Sequence, residues 1–149
     1  MSRIRAVLPA AAAVCAATIA LVPSQAHAAS AIQVHKVHYD SPGSDRGGNS
    51  SINGEYVELK NTSRSAIELR GYRIKDQSGH WYTFPSYRIG AGKTVKVHTG
   101  KGSTSAGHVY QGRGWYVWNN DKDTATLYKG SSWADSCAYN STKVDYKMC

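Results

Sequence analysis

The sequence predicts an all-β domain, a sandwich or barrel of short strands. Beyond residue 28 no apolar pattern of helical period runs far enough to make a helix, while short runs rich in β-branched and aromatic residues recur. Clusters of Gly, Asn, Asp and Ser separate those runs at regular, short intervals. Nothing in that region alternates strand with helix, as a parallel α/β sheet requires.

The first 28 residues read as a separate unit. Arg3 and Arg5 give a basic start, and Ala6 to Val22 is alanine-rich and apolar, broken by Pro9 and Thr18. Pro23 and the Ala26-His27-Ala28 run follow, the order of a secretory leader cleaved after Ala28. The expected organisation is therefore residues 1–28 as signal peptide and 29–149 as one exported domain, with no membrane span left after cleavage. Losing Arg3 and Arg5 leaves 16 Lys and Arg against 10 Asp and Glu, a net charge of +6. Cys137 and Cys149 are the cysteines outside the leader, and an oxidising compartment favours one disulfide between them.

The strands are expected in this order. Ile32 to Tyr39 alternates, with Ile32, Val34 and Lys36 on one phase and Val37 and Tyr39 on the other, which puts His35 and His38 on opposite faces. A polar loop runs from Asp40 to Gly54. Glu55 to Lys60 is a strand with Val57 and Leu59 inward, and Asn61 to Ser65 turns the chain. Ala66 to Leu69 and Tyr72 to Lys75 flank a pivot at Gly71, where a missing Cβ permits a bend. Asp76 to Gly79 is a turn into His80 to Phe84, and Pro85 ends that strand. Ile89 to Gly92 turns into Thr94 to His98. Val109-Tyr110, Trp115 to Trp118, Thr124 to Tyr128, Ser136 to Tyr139 and Val144 to Tyr146 complete the set.

The run Gly54-Glu55-Tyr56-Val57-Glu58-Leu59-Lys60-Asn61 resembles the opening signature of the lamin tail domain family, in its bacterial secreted single-domain form. Ile67 to Ile74, Asp76 to Gly79, Ile89 to Gly92, Trp118-Asn119-Asn120 and Asp123 to Leu127 continue the resemblance in the family's order. It implies an immunoglobulin-like β-sandwich without catalytic residues.

No residue constellation argues for catalysis. The chain lacks a Gly-x-Ser-x-Gly elbow, and His35, His38, His80, His98 and His108 are scattered without metal-site spacing. No cofactor is expected. Asp40, Asp45, Asp121 and Asp123 lie in two oxygen-rich loops that match calcium by ligand type alone. Arg70, Arg73, Lys75, Arg88, Lys93 and Lys96 crowd the middle of the chain, where a positive face would attract an acidic polymer. Trp115, Tyr116 and Trp133 are candidates for an aromatic platform, while Trp118, inside a family motif, reads as core. Asn49, Asn61 and Asn140 each open an Asn-x-Ser/Thr triplet. Together these features point to a secreted, non-catalytic binding or structural module, whose partner would be a cell-envelope polymer, another secreted protein or a polyanion. A nucleic-acid binder using the basic face and a calcium-assisted adhesion domain are the alternatives.

Overall fold

A computed structural model describes residues 28–149. The expected leader lies outside the described residues but for Ala28. In chain order the elements are β1 (Ile32–His38), α1 (Asn49–Ile52), β2 (Tyr56–Asn61), β3 (Ile67–Glu68), β4 (Tyr72–Lys75) and β5 (Trp81–Thr83). They continue with β6 (Arg88–Ile89), β7 (Thr94–His98), β8 (His108–Tyr110), β9 (Lys122–Lys129), β10 (Ser132–Asn140) and β11 (Tyr146–Met148).

Two sheets face each other in an immunoglobulin-like sandwich. One has five strands in the order β11-β1-β2-β7-β8, the other four in the order β10-β9-β4-β5, and β3 and β6 form a small separate ribbon. Pairing is antiparallel except between β7 and β8. Val37, Val57, Leu59, Val95 and Val97 from the larger sheet meet Ile74, Ala125 and Leu127 from the smaller, all at most 2% exposed. Tyr39 and Tyr139 stack face to face inside the sandwich, ring centres 3.9 Å apart and planes within 4°.

Alternation fails in β1 because of a bulge. Val34 pairs with Leu59 and Lys36 with Glu58, so His35 is the extra residue. Val34 and Val37 therefore both point inward, and Lys36 leaves the phase assigned to it. His35 and His38 share the outer face: His35 reaches Glu58, and His38 stacks on Tyr56.

Two further departures follow from particular hydrogen bonds. Trp115 to Trp118 forms no strand, because the Val117 amide donates to the buried Glu55 carboxyl at 3.0 Å instead of to a ladder. The loop after β1 contains the helical turn α1, which closes with Ile52 N–H donating to Gly48 O at 2.9 Å.

The family-like motifs are structural. Asn61 is fully buried, and its Nδ2 donates to Ser65, Ile89 and Gly90 carbonyls, binding the β2 end to the β6–β7 turn. Its glycosylation triplet is thus spent inside the fold. Asp76 Oδ1 accepts the His80 amide at 2.6 Å and closes the β4–β5 turn. Gly71 has φ of 87°, a conformation side chains disfavour.

Candidate functional site

The outer face of the four-stranded sheet gathers residues that the sequence scatters. Trp133 on β10 stands opposite Tyr128 on β9, and Tyr128 stands opposite Arg73 on β4. In the next row Ser136 faces Thr126, Thr126 faces Lys75, and Lys75 faces Trp81 on β5. Strand alternation sends all of them outward, since their neighbours Ile74, Ala125 and Leu127 fill the core.

The cations are held on the aromatic rings. The Arg73 guanidinium lies 4.3 Å from the centre of the Trp81 ring, and Lys75 Nζ lies 5.3 Å from it. Arg73 is also anchored, because Nε and Nη2 both donate to Gly130 O, at 3.1 and 2.8 Å. Arg113 Nη2 donates to Trp81 O at 2.8 Å, and the Tyr128 ring leans on Trp81 at 5.2 Å. Trp81 is 37% and Trp133 51% exposed, so both indoles keep surface free for a partner. These two rows carry no carboxylate among the described residues. Asp123 and Asp135 have the inward register: Asp123 is buried, and Asp135 sits opposite buried Leu127 and accepts the Val34 amide at 2.8 Å.

The six basic candidates do not form one patch. Arg73 and Lys75 belong to this face. Arg70 is exposed beside the Gly71 bend. Arg88 and Lys93 line a separate cleft of about 500 Å³ beside the β6–β7 turn. Lys96 stands on the outer face of the other sheet.

The aromatic candidates divide too. Trp133 is on the four-stranded face, whereas Trp115 and Tyr116 lie in the β8–β9 segment, ring centres 5.5 Å apart. Trp115 covers Gly47, whose φ of 73° and want of a side chain make room: a Cβ there would collide with the indole. Tyr116 shares a 2.6 Å hydrogen bond with Ser51. Tyr116 fastens the loop, while Trp115 stays 61% exposed, apart from the four-stranded face. Trp118 is core, 2% exposed.

The calcium candidates are engaged otherwise. Asn120 Nδ2 donates to both Asp40 and Asp45, at 3.3 and 2.8 Å, placing a donor between the carboxylates where a cation would need an acceptor. Asp123 accepts the Gln77, Thr124 and Asn119 amides, and Asp121 accepts the Lys122 amide.

Sequence reasoning passed over Trp81 and Tyr128. A signal for Trp81 was present, since the β4–β5 hairpin sets it across from Lys75. Tyr128 depends on β9 pairing with β4, which no local pattern announces.

Residues 25–141 match the Lamin Tail Domain family, and the chain belongs to it. That domain is immunoglobulin-like and non-enzymatic, in keeping with the sandwich and its structural motifs. No curated protein matches the chain closely enough to lend it a partner.

Proposed function

We propose that the chain is an exported recognition module that holds an acidic polysaccharide on the outer face of its four-stranded sheet. The observation that carries this reading is the pairing of Arg73 and Lys75 with Trp81, in rows free of carboxylate and flanked by exposed Trp133. Indole faces stack on sugar rings, and the two cations meet acidic substituents. Trp81 and Trp133 stand three strands and one row apart, about 16 Å at ordinary strand spacing and rise, which suits a polymer better than a single sugar.

Export rests on the basic, apolar, small-residue order of residues 1–28. Secreted protein is expected to begin at Ala29 on N-terminal sequencing.

The binding test uses polygalacturonate and double-stranded DNA across a salt series. Trp81→Ala and the double variant Arg73→Ala with Lys75→Ala should each weaken polygalacturonate binding, about tenfold for the indole. DNA binding, if present, should fall only in the basic variant and vanish steeply with salt. DNA preferred over the glycan at every salt concentration, with Trp81→Ala silent, would hand the function to the nucleic-acid reading.

A further inference from the structure

On the opposite side of the sandwich, each strand of the five-stranded sheet contributes one ring to a single row. Tyr146, His38, Tyr56, His98 and Tyr110 are successive cross-strand partners on β11, β1, β2, β7 and β8. Their ring centres are 6.2, 5.1, 5.7 and 4.9 Å apart, and all but the Tyr56–His98 step lie within 20° of parallel. Rings stacked along a row cover one another's faces and present edges to solvent. The row therefore offers phenol hydroxyls and imidazole nitrogens, not a platform for sugars. It spans about 19 Å at ordinary strand spacing.

Two ammonium groups complete it. Lys36 Nζ lies 4.2 Å from the centre of the Tyr146 ring, and Lys96 Nζ 4.7 Å from that of Tyr56. Glu58 stands between these lysines in register and opposes their charge. His35 Nε2 approaches it to 3.9 Å and pairs with it when protonated.

The last element is a histidine pair that the sequence separates by ten residues. His98 Nδ1 is 2.9 Å from Asn53 O, so that nitrogen carries the hydrogen. His98 Nε2 is 2.9 Å from His108 Nδ1, and the ring planes differ by 14° with centres 5.2 Å apart, an end-to-end hydrogen bond. In the neutral pair His98 Nε2 accepts, His108 Nδ1 donates, and His108 Nε2 keeps a lone pair. One added proton leaves every hydrogen bond intact and spreads one positive charge over both rings. A second would set two N–H groups against each other.

We propose that this row is a second anion-binding surface, which takes up a phosphate-bearing polymer when the His98–His108 pair gains its shared proton. Phosphate oxygens accept from phenols, imidazoles and ammonium groups alike. Phosphodiester and internal polyphosphate groups stay charged throughout the histidine range, so the protein alone sets the pH response. The surface is open, and affinity comes from a chain meeting several donors at once.

The groups facing each histidine fix the direction. Burial holds His98 below the ordinary imidazole range, with His108 and Lys96 adding to it and the Asn53 carbonyl opposing. Tyr56 and Tyr110 flank it without charge. Burial and Lys36 likewise hold His38 down, with Lys96 adding and Asp145 and Asp40 opposing, between Tyr56 and Tyr146. Burial thus disfavours charge on the His98 and His38 rings, and acid works against it.

The test is inorganic polyphosphate binding to the Arg73→Ala, Lys75→Ala protein, which lacks the cations of the other face. Affinity at pH 5.5 should exceed that at pH 7.5 roughly tenfold, and polyphosphate should raise the histidine titration midpoint by about one unit, since binding and protonation are reciprocal. His108→Gln should reduce the pH response to the part His38 supplies, His108→Gln with His38→Gln should flatten it further, and Lys36→Ala with Lys96→Ala should abolish the weak binding that is left. Affinity independent of pH, or a histidine midpoint that polyphosphate leaves unmoved in the NMR titration of the unaltered histidines, would overturn the proposal whatever the other face binds.

Discussion

Cys137 on β10 is bonded to Cys149, the residue after β11, with Cα atoms 5.8 Å apart. β10 and β11 edge different sheets, so this one bond fastens the two layers together at the C-terminus. β11 buries little: Tyr146 and Met148 are nearly half exposed, and three cross-strand pairs with β1 hold the strand.

Reduction should therefore free β11 before anything else unfolds. The chain-entropy argument assigns the cross-link about 3 kcal/mol for so short a loop. In reduced protein or Cys149→Ser, amide exchange of Tyr146 to Met148 should become fast while β2 and β7 stay protected. Unchanged protection of β11 would show that pairing alone suffices. Because Tyr146 ends the ring row, its loss should also uncover one face of His38.

Glu55 makes stability depend on pH. Its side chain is fully buried, and burial pushes its carboxyl up to about 8 from 4.5, against the pull of the Val117 amide. Between those values the folded state keeps a proton that the unfolded state releases. Stability from this group is complete below about pH 4.5, declines by about 1.4 kcal/mol per unit as pH rises, and levels off above about 8. Glu55→Gln copies the neutral acid, can still accept the Val117 amide, and should flatten the profile. At pH 7.5 the variant should be more stable by up to roughly 4 kcal/mol in urea titrations. A variant with the parent's pH slope would assign that slope to other groups.

Much of the fold is legible because its turns are local. Asp76 to Gly79 and Gly71 announce bends through their own chemistry, and Val57 and Leu59 announce an inward face by alternation. The β1 bulge leaves no such mark, since His35 looks like any strand residue until Glu58 is seen opposite Lys36. Trp115 to Trp118 has strand composition, yet its Val117 amide is claimed by Glu55, 62 positions away. The faces are harder still. Arg73 and Lys75 share a side by simple alternation, but Tyr128 joins them only through the non-consecutive β9–β4 pairing. His98 meets Tyr110 only because β7 and β8 run parallel.

Arg73 separates charge from geometry on the four-stranded face. Its guanidinium does two things at once: it donates twice to Gly130 O in the β9–β10 turn, and it lies flat enough to approach Trp81 to 4.3 Å. Lysine supplies the charge but not the planar fork, so Arg73→Lys keeps attraction to an acidic polymer while releasing both anchors. Counterion release counts charges, and the salt slope of polygalacturonate binding should stay the same in Arg73→Lys. The affinity should still fall about fivefold, because Trp81 loses the group that fixes it for stacking. Arg73→Ala should lower the slope by about one and the affinity further. Isothermal titration at several salt concentrations gives both quantities. If Arg73→Lys matches the parent in slope and affinity, the guanidinium contributes charge alone, and the ordered pairing with Trp81 has no part in recognition.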